Sequence, residues 1–304
     1  MRFFMRIVFM GIRYLYLTKK KHMKNVLYLT ITFLLCLFAN NQVVAQQLKL
    51  ITYNIRYDNP NDGENAWPLR KTFLAAQLNF YAPDVFGIQE ALPNQVTDLE
   101  ILLPQYAHVG MARDGDGKGE SSNIFYNKTR FELLQQNTFW LSPTPAVISK
   151  GWDAALNRVC TYVLLKDKKT QLQFWVFNTH LDHIGEEART QSIDLILSKM
   201  KTLNINGDTA FLVGDFNSEP TDERIINLQK QMIDCRTISE TPPFGPTGTF
   251  NAFHHDQAVT KQIDYIFMSK DKPLKVLKYA ILSDSKDLKY PSDHLPVYAE
   301  FLIN

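Results

Sequence analysis

Six places in the chain set a side chain that can bind a cation, hold an anion or move a proton at the end of a strand-like run. Asn54 closes residues 48–54, Gln89-Glu90 closes 85–89, and Thr179-His180 follows 174–178. Gly214-Asp215-Phe216-Asn217 closes 210–214, Asp264 lies within 262–268, and Ser292-Asp293-His294 precedes 297–301. Each alone has a bland explanation. Asp and Asn bond local backbone and favour turns, and a buried amide or carboxylate is usually a satisfied core group. Six together are hard to account for as separate turns. Carboxylates, two imidazoles and amides converging on one rim would suit a cation and an anionic substrate.

The elements that must hold these groups follow from periodicity. Further strand-like runs fall at 123–126, 159–165 and 277–282. Helical spacing over 70–81 puts Phe73, Leu74, Gln77, Leu78 and Tyr81 on one face, and over 187–203 it aligns Ile193, Ile196, Leu197 and Met200. Strands and helices alternate in both halves, with extra hairpin-like strands in the middle. That pattern predicts an α/β sandwich, two sheets face to face with helices outside. The polar loops 58–64 and 113–122 then lie at the rims, where function is expected. No repeat or low-complexity linker divides residues 46–304, so one domain is expected there.

Charge is distributed unevenly. The 304 residues include 33 basic and 31 acidic side chains, but residues 1–45 hold seven of the basic ones and no acidic one. Residues 46–304 therefore carry 26 basic against 31 acidic, a net of −5. Such a domain has no global field to gather nucleic acid, although a local basic groove is compatible with it. The basic start, the apolar stretch 26–38 and Ala45 before Gln46 form the pattern of a secretory signal peptide, with export and cleavage expected after Ala45. Met23 would make a normal start for that signal, leaving 1–22 as an upstream extension. The competing reading is an N-terminal anchor formed by the largely apolar residues 1–17. Cys36 follows Leu34-Leu35 rather than the small residue a lipoprotein signal needs, so no lipid anchor is expected. For Cys160 and Cys235, a disulfide and free core thiols both remain open. No CxxC or Cys/His cluster suggests zinc.

Asn54, Gln89-Glu90, Thr179-His180, GDFN at 214–217, Ile263-Asp264 and SDH at 292–294 resemble, in order and spacing, the motifs of the endonuclease/exonuclease/phosphatase superfamily. The resemblance covers nearly all of 48–302. It includes DNase I-like nucleases, exonuclease III-type repair enzymes, deadenylases, neutral sphingomyelinases and inositol-polyphosphate phosphatases. It implies a four-layer α/β sandwich, two face-to-face mixed sheets flanked by helices, and metal-assisted hydrolysis of a phosphoester by water. Glu90 is the implied principal ligand of Mg²⁺, with Mn²⁺ as the alternative, and Asn54 and Asp293 would lie near the metal. Asp215 would activate or orient the water, and Asn217 would fix Asp215 or a phosphate oxygen. His294, paired to Asp264, and His180 would face the phosphate. Glu120 is the implied partner of His180. Arg158 matches a phosphate-contacting arginine, its alternative being a surface salt bridge. His183, His254 and His255 take no role from the resemblance and read as solvent-facing loop residues. Trp67, Trp140 and Trp152 either shape a cleft or pack.

Departures narrow the substrate. Lys261–Tyr265 reads Lys-Gln-Ile-Asp-Tyr where the 5-phosphatases carry Trp-Cys-Asp-Arg, which argues against that branch. Asn54-Ile55-Arg56-Tyr57-Asp58, Trp67 and Gly151-Trp152-Asp153 resemble secreted bacterial members. The expectation is an exported, monomeric, metal-dependent nuclease or phosphodiesterase without a stable protein partner. The alternatives are a sphingomyelinase-like enzyme, a sugar- or inositol-phosphate phosphatase, and a binding module that has lost catalysis. The last would show an eroded polar rim, yet every polar group of the set is present.

Overall fold

Apolar runs whose successive side chains point to two opposite, buried faces build two six-stranded sheets in this computed structural model, which describes residues 10, 13–25 and 46–303. The chain divides into two units, Met1–Ala45 and Gln46–Asn304. In the first, residues 13–25 are helical. The apolar stretch 26–38 and the expected cleavage point at Ala45 lie outside the described residues. No described helix is long and apolar enough to cross a membrane.

In the second unit one sheet contains β1 (Gln46–Asn54), β2 (Val85–Gln89), β3 (Tyr106–Val109), β4 (Ile124–Asn127), β11 (Lys275–Ile281) and β12 (Val297–Ile303), in the order β11-β12-β1-β2-β4-β3. The other contains β5 (Phe131–Trp140), β6 (Val159–Asp167), β7 (Gln173–His180), β8 (Thr209–Asp215), β9 (Met232–Asp234) and β10 (Asp264–Ser269), in the order β5-β6-β7-β8-β10-β9. Both sheets are mixed: β1–β2 and β7–β8 are parallel and the other neighbours antiparallel. A parallel pair needs a crossover. α1 (Trp67–Tyr81) supplies the first and α3 (Glu186–Leu203) the second.

Leu48, Leu50 and Val85 face Val176, Phe211, Val213 and Ile266 between the sheets. The intervening residues face outward. Ile51, Tyr53 and Ile88 pack under Leu74 and Leu78 of α1 and Leu99 of α2 (Pro93–Leu102). Trp175, Phe177 and Leu212 pack under Ile193 and Ile196 of α3 and Leu228 of α4 (Glu223–Gln231). The four expected layers are therefore present. Cys160 belongs to that last cluster and Cys235 to the inter-sheet core, and both are free thiols, so the disulfide alternative falls away.

At one rim the inward-facing parity turns from apolar to polar. Thr52, Asn54, Gln89, Asn178, His180, Asp215 and Asp264 continue the rows that begin with Leu50, Val85, Val176, Val213 and Ile266. Register then sets neighbours side by side: His180 opposite Asp215, and Asp215 opposite Asp264. The two sheets are bolted together just below. Gln89 Nε2 donates to Thr52 Oγ1 (3.0 Å) and Asn178 Oδ1 (2.7 Å), and Asn178 Nδ2 donates to the carbonyls of Ile88 and Asn123, both at 2.9 Å. Gly87 makes room for this crossing, because a Cβ there would stand 2.7 Å from Asn178 Cγ.

Candidate active site

Gly214 lets β8 press against β7, since a Cβ at its φ of +144° would lie 2.0 Å from the Thr179 carbonyl oxygen. The chain then places Asp215 inward, buries Phe216 edge-on against Tyr265 (5.5 Å), and turns at Asn217 with φ 46°. Asp215 Oδ1 accepts from the Asn217 backbone N–H at 2.9 Å, so a local Asx-type turn exists. Its other oxygen, Oδ2, accepts from Asn54 Nδ2 at 2.9 Å and faces the cleft. Turn and site are the same carboxylate.

Asn54 also donates from Nδ2 to Glu90 Oε1 at 3.0 Å, while its Oδ1 accepts from the Arg56 backbone N–H at 3.0 Å. Glu90 takes a second bond at Oε2 from the Tyr57 N–H (3.1 Å) and adopts φ 62°. A left-handed glutamate costs on the order of 1 kcal/mol or more and is held only where its surroundings dictate it.

His294 Nδ1 is 2.9 Å from Asp264 Oδ2, and its Nε2 is 3.8 Å from Asp215 Oδ2. Burial, the largest single effect, works against the imidazolium, but Asp264, Asp215 and Asp293 outweigh it and push His294 up to about 10. Burial first and Asp264 second push Asp215 up to about 7, against the pull of His294. Asp293 is pushed up to about 6, chiefly by burial; His294 opposes this and Glu90 adds to it.

His180 behaves differently from His294. Burial and then Arg158 hold it well below the usual imidazole range, so the ring is neutral. Its Nε2 accepts from Asn217 Nδ2 at 3.0 Å and lies 3.5 Å from Asp215 Oδ2. The expected partner is not engaged: Glu120 Oε2 is 3.9 Å from His180 Nδ1 and instead accepts from Arg113 Nη1 at 2.8 Å. A fixed guanidinium is the stronger competitor for that carboxylate. Arg158 is no surface salt bridge. It is buried, with Nε 3.3 Å from Asp182 Oδ2.

These groups meet in an open cleft of about 560 Å³. Glu90, Glu120, Arg158, His180, Asp215, Asn217, Asp293 and His294 line it, as expected; Asn54 and Asp264 stand one layer behind. Sequence reasoning missed Arg113, His183, Phe250 and Lys261, which line it too. His183 is the correction that matters: it bonds to Arg158 rather than facing solvent alone. His254 and His255 do not line the cleft, and Trp67 and Trp140 pack, their indole N–H groups donating to Asp98 and to the Arg113 carbonyl.

Two sets could hold a cation. Among the described residues Asp215, Asp264 and His294 can bring ligand atoms within 4.8 Å of one another. In that trio, however, the imidazolium is already bonded to Asp264 and would have to lose a proton to bind an ion. Glu90 and Asp293 fit better. They are oxygen donors, as Mg²⁺ prefers, and the cation nearest Asp293 is Arg56 Nη1 at 3.8 Å. A divalent ion held by the two would offset the Glu90 charge that adds to burial in raising Asp293. Asn54 adjoins this pair, its Nδ2 donating to Glu90 and to Asp215.

Similarity to known proteins agrees with this arrangement. An endonuclease/exonuclease/phosphatase family protein from Bacteroides thetaiotaomicron is 34% identical with a TM-score of 0.80, covering 86% of this chain and 99% of that one. A mannosyl-6-phosphatase from the same organism is 35% identical with a TM-score of 0.80, covering 84% of this chain and all of that one. The CCR4-Not complex 3'-5'-exoribonuclease subunit Ccr4 of Kluyveromyces lactis is 24% identical over 87% of this chain. The chain spans only 42% of that relative's length, and less than two thirds of the other curated relatives it matches. Residues 51–294 match the model of the Endonuclease/Exonuclease/phosphatase family, and the chain belongs to that family.

Proposed function

We propose that this chain is a divalent-metal-dependent phosphoesterase that attacks phosphorus with water, and that small sugar phosphates are its substrate class. The observation that carries the reading is the position of Asp215, a buried carboxylate pushed up to about 7 that opens on a cleft beside a neutral and a charged imidazole. In the reaction, water oxygen bonds to phosphorus as Asp215 takes the water proton, and the bond from phosphorus to the ester oxygen breaks. The leaving oxygen takes a proton from solvent water in the open cleft while Asp215 returns its own to solvent. The His294 imidazolium and Arg158 hold the phosphate oxygens, and Asp264 keeps His294 charged and oriented. Asn217 fixes both Asp215 and His180. A divalent cation of the Mg²⁺ or Mn²⁺ class, held by Glu90 and Asp293, would neutralise phosphate and leaving-oxygen charge.

A sugar phosphate is preferred to a polynucleotide on two grounds. The 35%-identical relative is a mannosyl-6-phosphatase, whereas the exoribonuclease is 24% identical. The net charge of −5 over residues 46–304 also gives no long-range attraction for a polyanion. The nuclease reading, supported by the exoribonuclease over most of the chain, stands second. Export with cleavage after Ala45 rests on the basic and apolar pattern of residues 1–45, and a mature N-terminus at Gln46 would establish it.

The test is an assay of the purified protein with Mg²⁺ against hexose phosphates, p-nitrophenyl phosphate, its bis ester, RNA and DNA. Cleavage of a hexose phosphate that EDTA, Glu90→Ala and Asp215→Asn each abolish is the expected result. Full activity in EDTA would overturn the mechanism, and cleavage of RNA or DNA alone would restore the nuclease reading.

A further inference from the structure

We infer that His183 is a specificity-determining residue whose Nε2–H donates to a hydroxyl of the alcohol part of the substrate, and that Asp182 and Arg158 fix it in that tautomer. The inference rests on the sugar-phosphate reading above and names the contact that would read the sugar.

Asp182 is the anchor. It is 1% exposed, and its carboxylate accepts the backbone N–H groups of Ala155 (3.1 Å), Leu156 (3.2 Å), Ile184 (3.0 Å) and Gly185 (2.8 Å). The segment before β6 and the turn after β7 are thus tied to one side chain. The same carboxylate accepts from Arg158 Nε at 3.3 Å, which leaves the guanidinium little freedom. Arg158 Nη2 then lies 3.0 Å from His183 Nδ1. A guanidinium only donates, so Nδ1 must accept and the ring proton sits on Nε2.

His183 is exposed yet lines the cleft that holds Asp215 and His294. With Nδ1 engaged, the polar atom it offers there is a neutral N–H. The phosphate already has an imidazolium and a guanidinium, the better partners for an anion. A neutral donor suits a hydroxyl. Glu120 on the same cleft supplies an acceptor and would repel a further phosphate. Donors and a carboxylate around one phosphate site match a polyhydroxylated alcohol, whose groups both give and take hydrogen bonds.

The test compares wild type, His183→Ala and His183→Gln in the full chain, with Mg²⁺, on hexose 6-phosphates, their singly deoxygenated analogues and p-nitrophenyl phosphate. His183→Ala should lower kcat/KM on the preferred hexose phosphate by about ten-fold, and on p-nitrophenyl phosphate by less than about three-fold. His183→Gln, which keeps a side-chain N–H, should recover most of the loss. One deoxy analogue should cost wild type the same factor and cost His183→Ala nothing more. Equal losses on both substrates would put the contact on the phosphate and overturn the inference, as would no loss on the hexose phosphate. A wild-type protein active on p-nitrophenyl phosphate but on no hexose phosphate would overturn the sugar-phosphate reading itself, and the inference with it.

Discussion

Asn54 Nδ2 donates to Asp215 Oδ2 at 2.9 Å, joining one sheet to the other through residues 161 positions apart. The second proton of the same amide reaches Glu90 Oε1 at 3.0 Å. One side chain therefore sets the distance between the carboxylate that would carry the cation and the one that would take the water's proton.

Replacing that amide should uncouple the two. Asn54→Ala is expected to lower kcat/KM by about 10–100-fold, with a matching rise in the Mg²⁺ concentration needed for half-maximal rate. Rate measured as a function of Mg²⁺ checks this. A loss in kcat with no change in metal requirement would confine Asn54 to Asp215.

The alkaline limb of the rate should belong to His294. Burial opposes its charge, but its three aspartate neighbours push it up to about 10. A raised folded value means that the imidazolium, and its share of stability, is complete below the unfolded range near 6.5 and is lost as pH rises through about 10. Activity should fall over that upper range, and His294→Gln should be slow throughout and lack the limb. A wild-type pH–rate profile that stays level there would contradict the assignment.

Acid stability should depend on Asp182. Burial pushes its carboxyl up, but the N–H groups of Gly185, Ala155 and Ile184, with Arg158, outweigh that and hold it well below the usual range. Its contribution is thus present above the unfolded value of about 4 and lost as pH falls toward the folded one. Asp182→Asn should lose about 3 kcal/mol at neutral pH, and its urea midpoint should decline less steeply in acid than that of wild type.

Gly87→Ala tests the bolt between the sheets. The new methyl would overlap Asn178, 2.7 Å away, and should cost about 1–3 kcal/mol. Asn178→Ala removes the obstacle but strands the carbonyls of Ile88 and Asn123. The double variant should therefore be more stable than the sum of the single losses, measured in a denaturant cycle.

Much of this was legible in the residues because the core strands are buried on both faces and write themselves as apolar runs. β1, β2, β7 and β8 emerge within a residue or two, and so do the polar groups that close them. The missed elements announce themselves poorly. β5 lies at a sheet edge and carries Glu132, Gln135, Gln136 and Asn137, and β9 has three residues. α2 begins at a proline and is capped by the Gln95 side chain on the Leu92 N–H rather than by Ser, Thr, Asp or Asn at its start. In the site, identities were readable but pairings were not. Arg113 took Glu120 from His180, and Asn54 turned its amide to carboxylates, because partner choice depends on tertiary distance. His183 carried no local signal beyond its place two residues after Leu181.

Strand parity is also where this protein is most fragile. Asn54, Gln89, His180, Asp215 and Asp264 point inward at the rim only because an even number of steps separates each from an inward apolar neighbour on its own strand. An insertion or deletion of a single codon within one of those strands would reverse every side chain beyond it, expelling core and chemistry together. The same change in the rim loops at 58–64 or 113–122 reverses nothing. New substrates can accordingly be acquired by lengthening or shortening the rim, while the strands beneath keep their length.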